Sequence, residues 1–160
     1  VSEPFALPNE ARTKLQLWRA ASASVVFTNG VFDLLHRGHV EYLEDARALG
    51  DRLVIGLNTD ASVRRLKGPS RPIVGEQDRA AVVRALACVD LVVLFDDDTP
   101  LKLIEAVRPN VLVKGGDYSL DTIVGREFVE SHGGRVTMIA LREGLSSSEI
   151  MRRIREGKGA

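Results

Sequence analysis

A chain of 160 residues carrying 22 Lys+Arg against 22 Asp+Glu has a formal net charge of zero. It is long enough for one domain with a proper core, and it lacks the basic excess that nucleic acid or an anionic membrane surface demands, so any anion-binding capacity has to be local. The single cysteine, Cys88, excludes a disulfide framework and a thiolate metal site. No run of 18 apolar residues or basic-then-apolar leader is present, so a cytoplasmic setting without membrane insertion or nucleic acid is expected.

Asn9 to Ala21 places Ala11, Leu15 and Trp18 at helical spacing behind Pro8-Asn9. It predicts an N-terminal helix (residues 1–22) packed on a main domain (residues 23–160). Ser24 to Thr28 is a β-branched and aromatic run, a buried first strand ending in the turn Asn29-Gly30. A helix from His36 to Leu49 follows, stopped by Gly50. Arg52 to Leu57 is a second strand, and Asp60 is placed to cap a short helix, Ala61 to Leu66.

Lys67 to Gly75 (KGPSRPIVG) breaks the regularity with two prolines, two glycines and two basic residues, and reads as a mobile flap. Glu76 to Cys88 resumes a helix, with Cys88 as a small core residue. Leu91 to Phe95 is a third strand, running into Asp96, Asp97 and Asp98. Adjacent side chains in extended chain diverge, so helix capping and solvation are expected of these carboxylates rather than metal binding. Thr99-Pro100 opens the helix Leu101 to Val107. Asn110 to Lys114 is strand four, followed by Gly115-Gly116-Asp117-Tyr118. A helix from Ile123 to Ser131, a fifth strand from Arg135 to Ala140, and a helix from Ser148 to Arg155 behind Ser146-Ser147 complete the chain. Strands alternating with helices predict an α/β fold, a Rossmann-like three-layer sandwich with a five-stranded, mainly parallel sheet.

Ligands of such sheets bind outside the carboxyl ends of the strands, near the switch in strand order. That rule collects Asn29, Gly30 and the histidines after strand one, Asn58 and the Lys67–Arg71 loop after strand two, Lys114 to Asp117 after strand four, and Ser146 to Ser148 after strand five. A helix start near His36 offers free N–H donors, and His36 and His39, three residues apart on one helix face, can donate to one phosphate. Gly30 and Gly38 let a ligand approach the backbone. The set stabilises negative charge and supplies no nucleophile. A dinucleotide fingerprint and a P-loop are both missing, and zinc through His36 and His39 lacks a clear third ligand.

GVFDLLHRGH resembles the signature of the nucleotidyltransferase superfamily marked by His-x-Gly-His, in its cytidylyltransferase-like branch, and the resemblance runs from about Ser24 to Ile154. NTDASVRRLKGPSRP, DDDTPLKLIEAVRPNVLVKGGDY and the serine-rich close are most similar to the adenylyltransferase half of bifunctional heptose kinase/adenylyltransferases. About 20 residues precede the first strand, so a stand-alone enzyme with a separate heptose kinase is expected.

The resemblance implies transfer of AMP from ATP, with Mg²⁺ carried on the ATP phosphates and no direct protein metal ligand. The acceptor would be D-glycero-β-D-manno-heptose 1-phosphate, and the products ADP-heptose and pyrophosphate for lipopolysaccharide or related glycans. It makes His36, His39 and Lys67 catalytic. Thr28, Asn29, Gly30, Val31, Phe32, Gly38, Lys114, Gly116, Asp117, Ser146, Ser147 and Ser148 become nucleotide-binding, and Lys14, Asp33, Asn58 and Arg71 substrate-binding with Lys67. A homodimer is the family expectation. Cytidylyltransferases for glycerol 3-phosphate close with R-T-E-G-I-S-T-[TS]; here LREGLSSS puts Leu141 at the first arginine position and Arg142 at the second, which weakens the alternative of a CTP enzyme for a polyol phosphate.

Overall fold

The computed structural model describes residues 3–116 and 119–159. Five strands, β1 (Val25–Gly30), β2 (Arg52–Asn58), β3 (Leu91–Phe95), β4 (Val111–Gly115) and β5 (Arg135–Ile139), form one sheet in the order β3-β2-β1-β4-β5. Every pairing is parallel, with Val25 opposite Arg52, Val54 opposite Leu91, Val26 opposite Val111 and Val111 opposite Arg135. The order reverses between β1 and β4, so the crevice expected of an open parallel sheet lies at the carboxyl ends of those two strands.

Helices cover both faces. On one, α1 (Asn9–Ala20), α5 (Leu101–Val107) and α6 (Arg126–Ser131) bring Ala11, Leu15, Leu103, Ile104 and Val129 onto Val25, Phe27, Val54 and Leu112. On the other, α2 (Arg37–Arg47) and α4 (Glu76–Arg84) pack Leu43, Ala46, Ala80 and Val83 onto Val26, Leu53, Ile55 and Val113. Val25 and Phe27 face one cluster and Val26 the other, as the two-residue period of a strand requires. Phe27, Ile55 and Leu112 are fully buried; each side chain contributes about 1.5–3 kcal/mol relative to exposure. The helices α3 (Asp60–Lys67) and α7 (Ser147–Arg155) sit at the site end. Among the described residues no helix is long and apolar enough to cross a membrane.

Several local expectations are corrected. β1 runs through Asn29 to Gly30, because both keep pairing with Gly56 and Leu57 of β2. Thr59, not Asp60, caps α3: its hydroxyl accepts the Ser62 N–H at 3.2 Å. Asp60 instead turns to Arg79 at 2.7 Å. The aspartate run does not cap α5, which has no side-chain cap. Asp96 accepts from the Thr59 hydroxyl, Asp98 pairs with Arg65 at 2.8 Å and Asp97 with Lys102 at 3.4 Å. α4 stops at Arg84, short of Cys88, which is half-buried beside the second core cluster with its thiol pushed up by burial. α6 starts at Arg126 behind Gly125, whose φ of 86° and close approach to Ile104 suit glycine: a Cβ there would stand 2.7 Å from Ile104 Cδ1.

Candidate functional site

The turn after β1 builds the floor of the site. Gly30 lies under the Phe32 ring so closely that a Cβ would stand 2.9 Å from Phe32 Cε2. Phe32 itself has φ 49°, left-handed backbone that a bulky side chain adopts only when its surroundings impose it. This twist turns the chain from β1 into α2 and sets Phe32 5.4 Å from the His39 ring, centroid to centroid.

His36 is the N-cap of α2, and the two histidines form a reciprocal capping box. His36 Nδ1 accepts the Gly38 N–H at 3.1 Å, and His39 Nδ1 accepts the His36 N–H at 3.3 Å. The rings stack with centroids 3.9 Å apart. Because each Nδ1 accepts a backbone proton, the neutral imidazoles carry theirs on Nε2. Burial lowers the pKa of both; that of His39 falls to about 4, with the charges of His36 and Lys67 adding to the burial effect. At neutral pH the pair is therefore two uncharged N–H donors on one wall of the cavity.

That cavity, about 670 Å³, opens at the β1/β4 switch point and is lined by His36, His39, Lys67, Lys114 and Ser146 to Ser148. The sequence places these residues in four separate turns. α7 enters with its N-terminus at the cavity; Ser146 caps it by accepting the Glu149 N–H at 3.0 Å, and Ser147 Oγ donates to Leu34 O at 3.0 Å, tying α7 to the β1–α2 turn. The unpaired N–H groups and dipole of a helix start favour an anion here. Lys67 ends α3 instead of lying within the loop, and Gly68 (φ 96°) turns the chain away behind it. Burial lowers the Lys67 pKa and Arg71 adds to this, opposed by Asp33. Lys114 Nζ donates to Asn29 Oδ1 at 2.7 Å across the switch point, and burial lowers its pKa too.

Asn29, Gly30, Val31, Phe32, Gly38 and Asn58 also line the cavity. Asn58 Nδ2 is turned away, to Ser62 Oγ at 3.0 Å. Asp33 and Arg71 reach the wall but are paired with each other at 2.8 Å. Asp33 also accepts the Ile73 N–H at 2.9 Å and the Val74 N–H at 2.8 Å, so it clasps the flap with both oxygens. Burial works against its charge, but these N–H groups and the guanidinium outweigh that and hold its pKa low.

Three expected residues stand elsewhere. Thr28 is fully buried with its hydroxyl 2.6 Å from Tyr42 Oη, beneath the cavity, and burial pushes the Tyr42 pKa up to about 12. Gly116 (φ 98°) donates its N–H to Ile139 O at 3.0 Å, and Gly115 takes its place in the wall. Lys14 lies at the opposite end of the sheet, 3.0 Å from Glu10 and 3.4 Å from the carbonyl of Asp90, which precedes β3. Asp117 lies outside the described residues. Sequence reading gave no sign of Thr122, Ile123, Val124 and Leu145, which supply apolar wall, nor of Arg79, buried behind the turn. Leu141 covers Gly115, and Arg142 is ion-paired with Glu41.

A parallel sheet ordered 3-2-1-4-5 with a His-x-Gly-His helix start at its switch point is the architecture of the cytidylyltransferase-like family, and the chain belongs to that family, matching it over residues 27–153. More particularly, it is 58% identical over 148 residues to the bifunctional protein HldE of Syntrophotalea carbinolica, covering 92% of this chain and 30% of that one. The HldE of Geobacter sulfurreducens is 59% identical over 141 residues, 88% of this chain and 29% of that one. The chain thus spans under a third of the length of these relatives. A solved structure, the lipopolysaccharide core biosynthesis protein from Thermoplasma volcanium, aligns with a TM-score of 0.61 and 31% identity over 75% of this chain and 97% of that one.

Proposed function

We propose that the chain is an adenylyltransferase that moves AMP from ATP to D-glycero-β-D-manno-heptose 1-phosphate, giving ADP-heptose and pyrophosphate for lipopolysaccharide or a related glycan. The observation that carries this reading is the convergence on one cavity of two Nε2–H imidazoles, a serine-capped helix start and Lys67, with no general base or nucleophile among them. The resemblance of the chain to the adenylyltransferase half of bifunctional heptose kinase/adenylyltransferases supplies the sugar.

A phosphate monoester oxygen of the acceptor is already a competent nucleophile. It attacks the α-phosphorus of ATP in line, forming the new P–O bond as the bond to the β-phosphate oxygen breaks, and pyrophosphate leaves with the electron pair. The protein holds the two partners and stabilises the charge that develops. His36 and His39 donate to the phosphate oxygens, the α7 start and Ser146 to Ser148 hold the β- and γ-phosphates, and Lys67 faces the developing charge. Asn29, Lys114 and Asn58 line the nucleotide and sugar side. Mg²⁺ would enter on the triphosphate oxygens: among the described residues the carboxylate in the wall is Asp33, already bonded to Arg71 and two N–H groups.

ATP is favoured over CTP by Leu141, which stands at the position of the first arginine in glycerol 3-phosphate cytidylyltransferases and packs on Gly115. The acceptor would be supplied by a heptose kinase reaction in the cytoplasm, and the resemblance carries a homodimer, open to sedimentation analysis. Pyrophosphate release should be measured with ATP and CTP, each against heptose 1-phosphate and glycerol 3-phosphate. ATP with the heptose should be fastest. Preference for CTP and glycerol 3-phosphate would replace this assignment with the cytidylyltransferase one, and nucleotide binding without release from any pair would remove both.

A further inference from the structure

Arg79 has no exposed side-chain surface and does not line the cavity, yet its donors hold three of the segments that border it. It sits in the first turns of α4, and its nitrogens reach three different segments. Nη1 donates to the Val31 carbonyl at 2.7 Å, in the turn between β1 and the histidines. Nε donates to the Val74 carbonyl at 2.8 Å, at the far end of the flap. Nη2 donates to Asp60 Oδ1 at 2.7 Å, in the first turn of the helix that ends in Lys67. The Asp60 N–H returns to α4 through Glu76 Oε2 at 2.6 Å, closing the circuit.

Burying a guanidinium carries a large desolvation cost, and an apolar side chain of similar volume would often serve stability as well or better. What an apolar residue would not do is fix three separate segments against one another, two through their carbonyls and one through the Asp60 carboxylate. Val31 immediately precedes Phe32, whose left-handed φ of 49° has to be held in place. Val74 and Asp60 lie on either side of Lys67 and the flap, and Val74 is also gripped by Asp33. A rigid, planar fork with five donors suits this task, and lysine, with a single ammonium centre, does not.

We infer that Arg79 is a positioning residue for nucleotidyl transfer: it fixes the His36/His39 turn and the Lys67 flap in register with each other while touching neither substrate. This rests on the transfer reading above. Misplacing a charge-stabilising group by an ångström costs rate far more than it costs ground-state binding, and this separates the role from simple support of the fold.

Arg79→Lys keeps the charge but reaches only part of the three acceptors. Expected for the folded protein are a fall in kcat on the order of 30- to 100-fold, an ATP dissociation constant within about threefold of wild type, and tryptic cleavage at Lys67–Gly68 faster by about tenfold. Unchanged kcat per folded molecule, or kcat and ATP affinity lost only in step with the folded fraction, would overturn the role. If Arg79→Lys does not fold, Asp60→Asn weakens one arm of the fork and leaves the other two. It should lower kcat about three- to tenfold with ATP affinity kept and the same bond cut faster; wild-type values for both rate and cleavage would overturn it. Wild-type turnover with ATP and heptose 1-phosphate is measured first and tests the transfer reading alone. ATP affinity and tryptic cleavage need no turnover, so they test Arg79 whichever acceptor is used.

Discussion

The two rims of the sheet use the same residue types to opposite ends. At the amino rim Asp90 accepts from Arg47 at 3.1 Å, Arg52 at 3.3 Å and the Leu53 N–H at 2.8 Å, and Lys14 is held by Glu10 and the Asp90 carbonyl. Cations there have anions beside them, and the result is a structural network. At the carboxyl rim Lys114 is bonded, among the described residues, to a neutral amide; two imidazoles present Nε2–H groups, and a helix start adds its donors. Among the described residues the carboxylate in that wall is Asp33, and it is used to fold the flap. A cation signals a ligand only where the fold withholds its partner.

The largest effect that would test this contrast is at the histidine pair. His36→Asn retains an acceptor for the helix cap but loses the ring N–H. It should keep stability within about 1 kcal/mol while lowering the rate of pyrophosphate release on the order of 10²–10³-fold. A loss within about threefold would remove His36 from the reaction. Lys67→Ala should lower kcat by about 10²-fold with ATP affinity little changed, read by steady-state kinetics beside direct titration.

Asp33→Asn weakens the flap clasp without removing a phosphate donor. About a tenfold loss of rate is expected, with faster tryptic cleavage at Lys67. If instead the acceptor KM rose with kcat unchanged, Asp33 would be a substrate ligand after all.

Acidity should act through His39. Its folded pKa of about 4 lies below the ordinary 6.5, so the neutral ring is favoured by folding. The unfolded chain takes up this proton first as pH falls. Stability from this group is therefore full above pH 6.5 and declines toward pH 4, by no more than about 3 kcal/mol. Bound triphosphate, which favours the charged ring, should reduce that decline. Denaturant melts of wild type and His39→Asn across this window check it; equal slopes would contradict the assignment. The smallest effect belongs to the other rim: Lys14→Ala should leave turnover within about twofold, since its partners are Glu10 and a backbone carbonyl.

The fold was largely legible because every strand is a short apolar run and the rim rule assigns turns to one end without knowing strand order. Leu91–Phe95 was bounded to the residue, whereas helix ends drifted where a cap was ambiguous, as between Thr59 and Asp60. The histidines, Lys67, Lys114 and the serines came from spacing and resemblance together. Lys14 and Thr28 went astray because linear order does not tell which rim a helix surface faces, nor that a strand-end hydroxyl points under the floor to Tyr42. Arg79 read as an ordinary helix arginine, because its three acceptors are backbone or side-chain oxygens in segments as far as 48 residues away.

On the proposed reading, a rim whose donors lie beside neutral groups among the described residues carries out a single in-line displacement without a nucleophile from the protein. The stereochemistry at the α-phosphorus tests this most directly. With one diastereomer of ATP bearing sulfur on the α-phosphate, turnover by the wild-type protein should invert that centre in the nucleotide sugar. Retention would mean two displacements through an adenylyl-enzyme and would contradict the account.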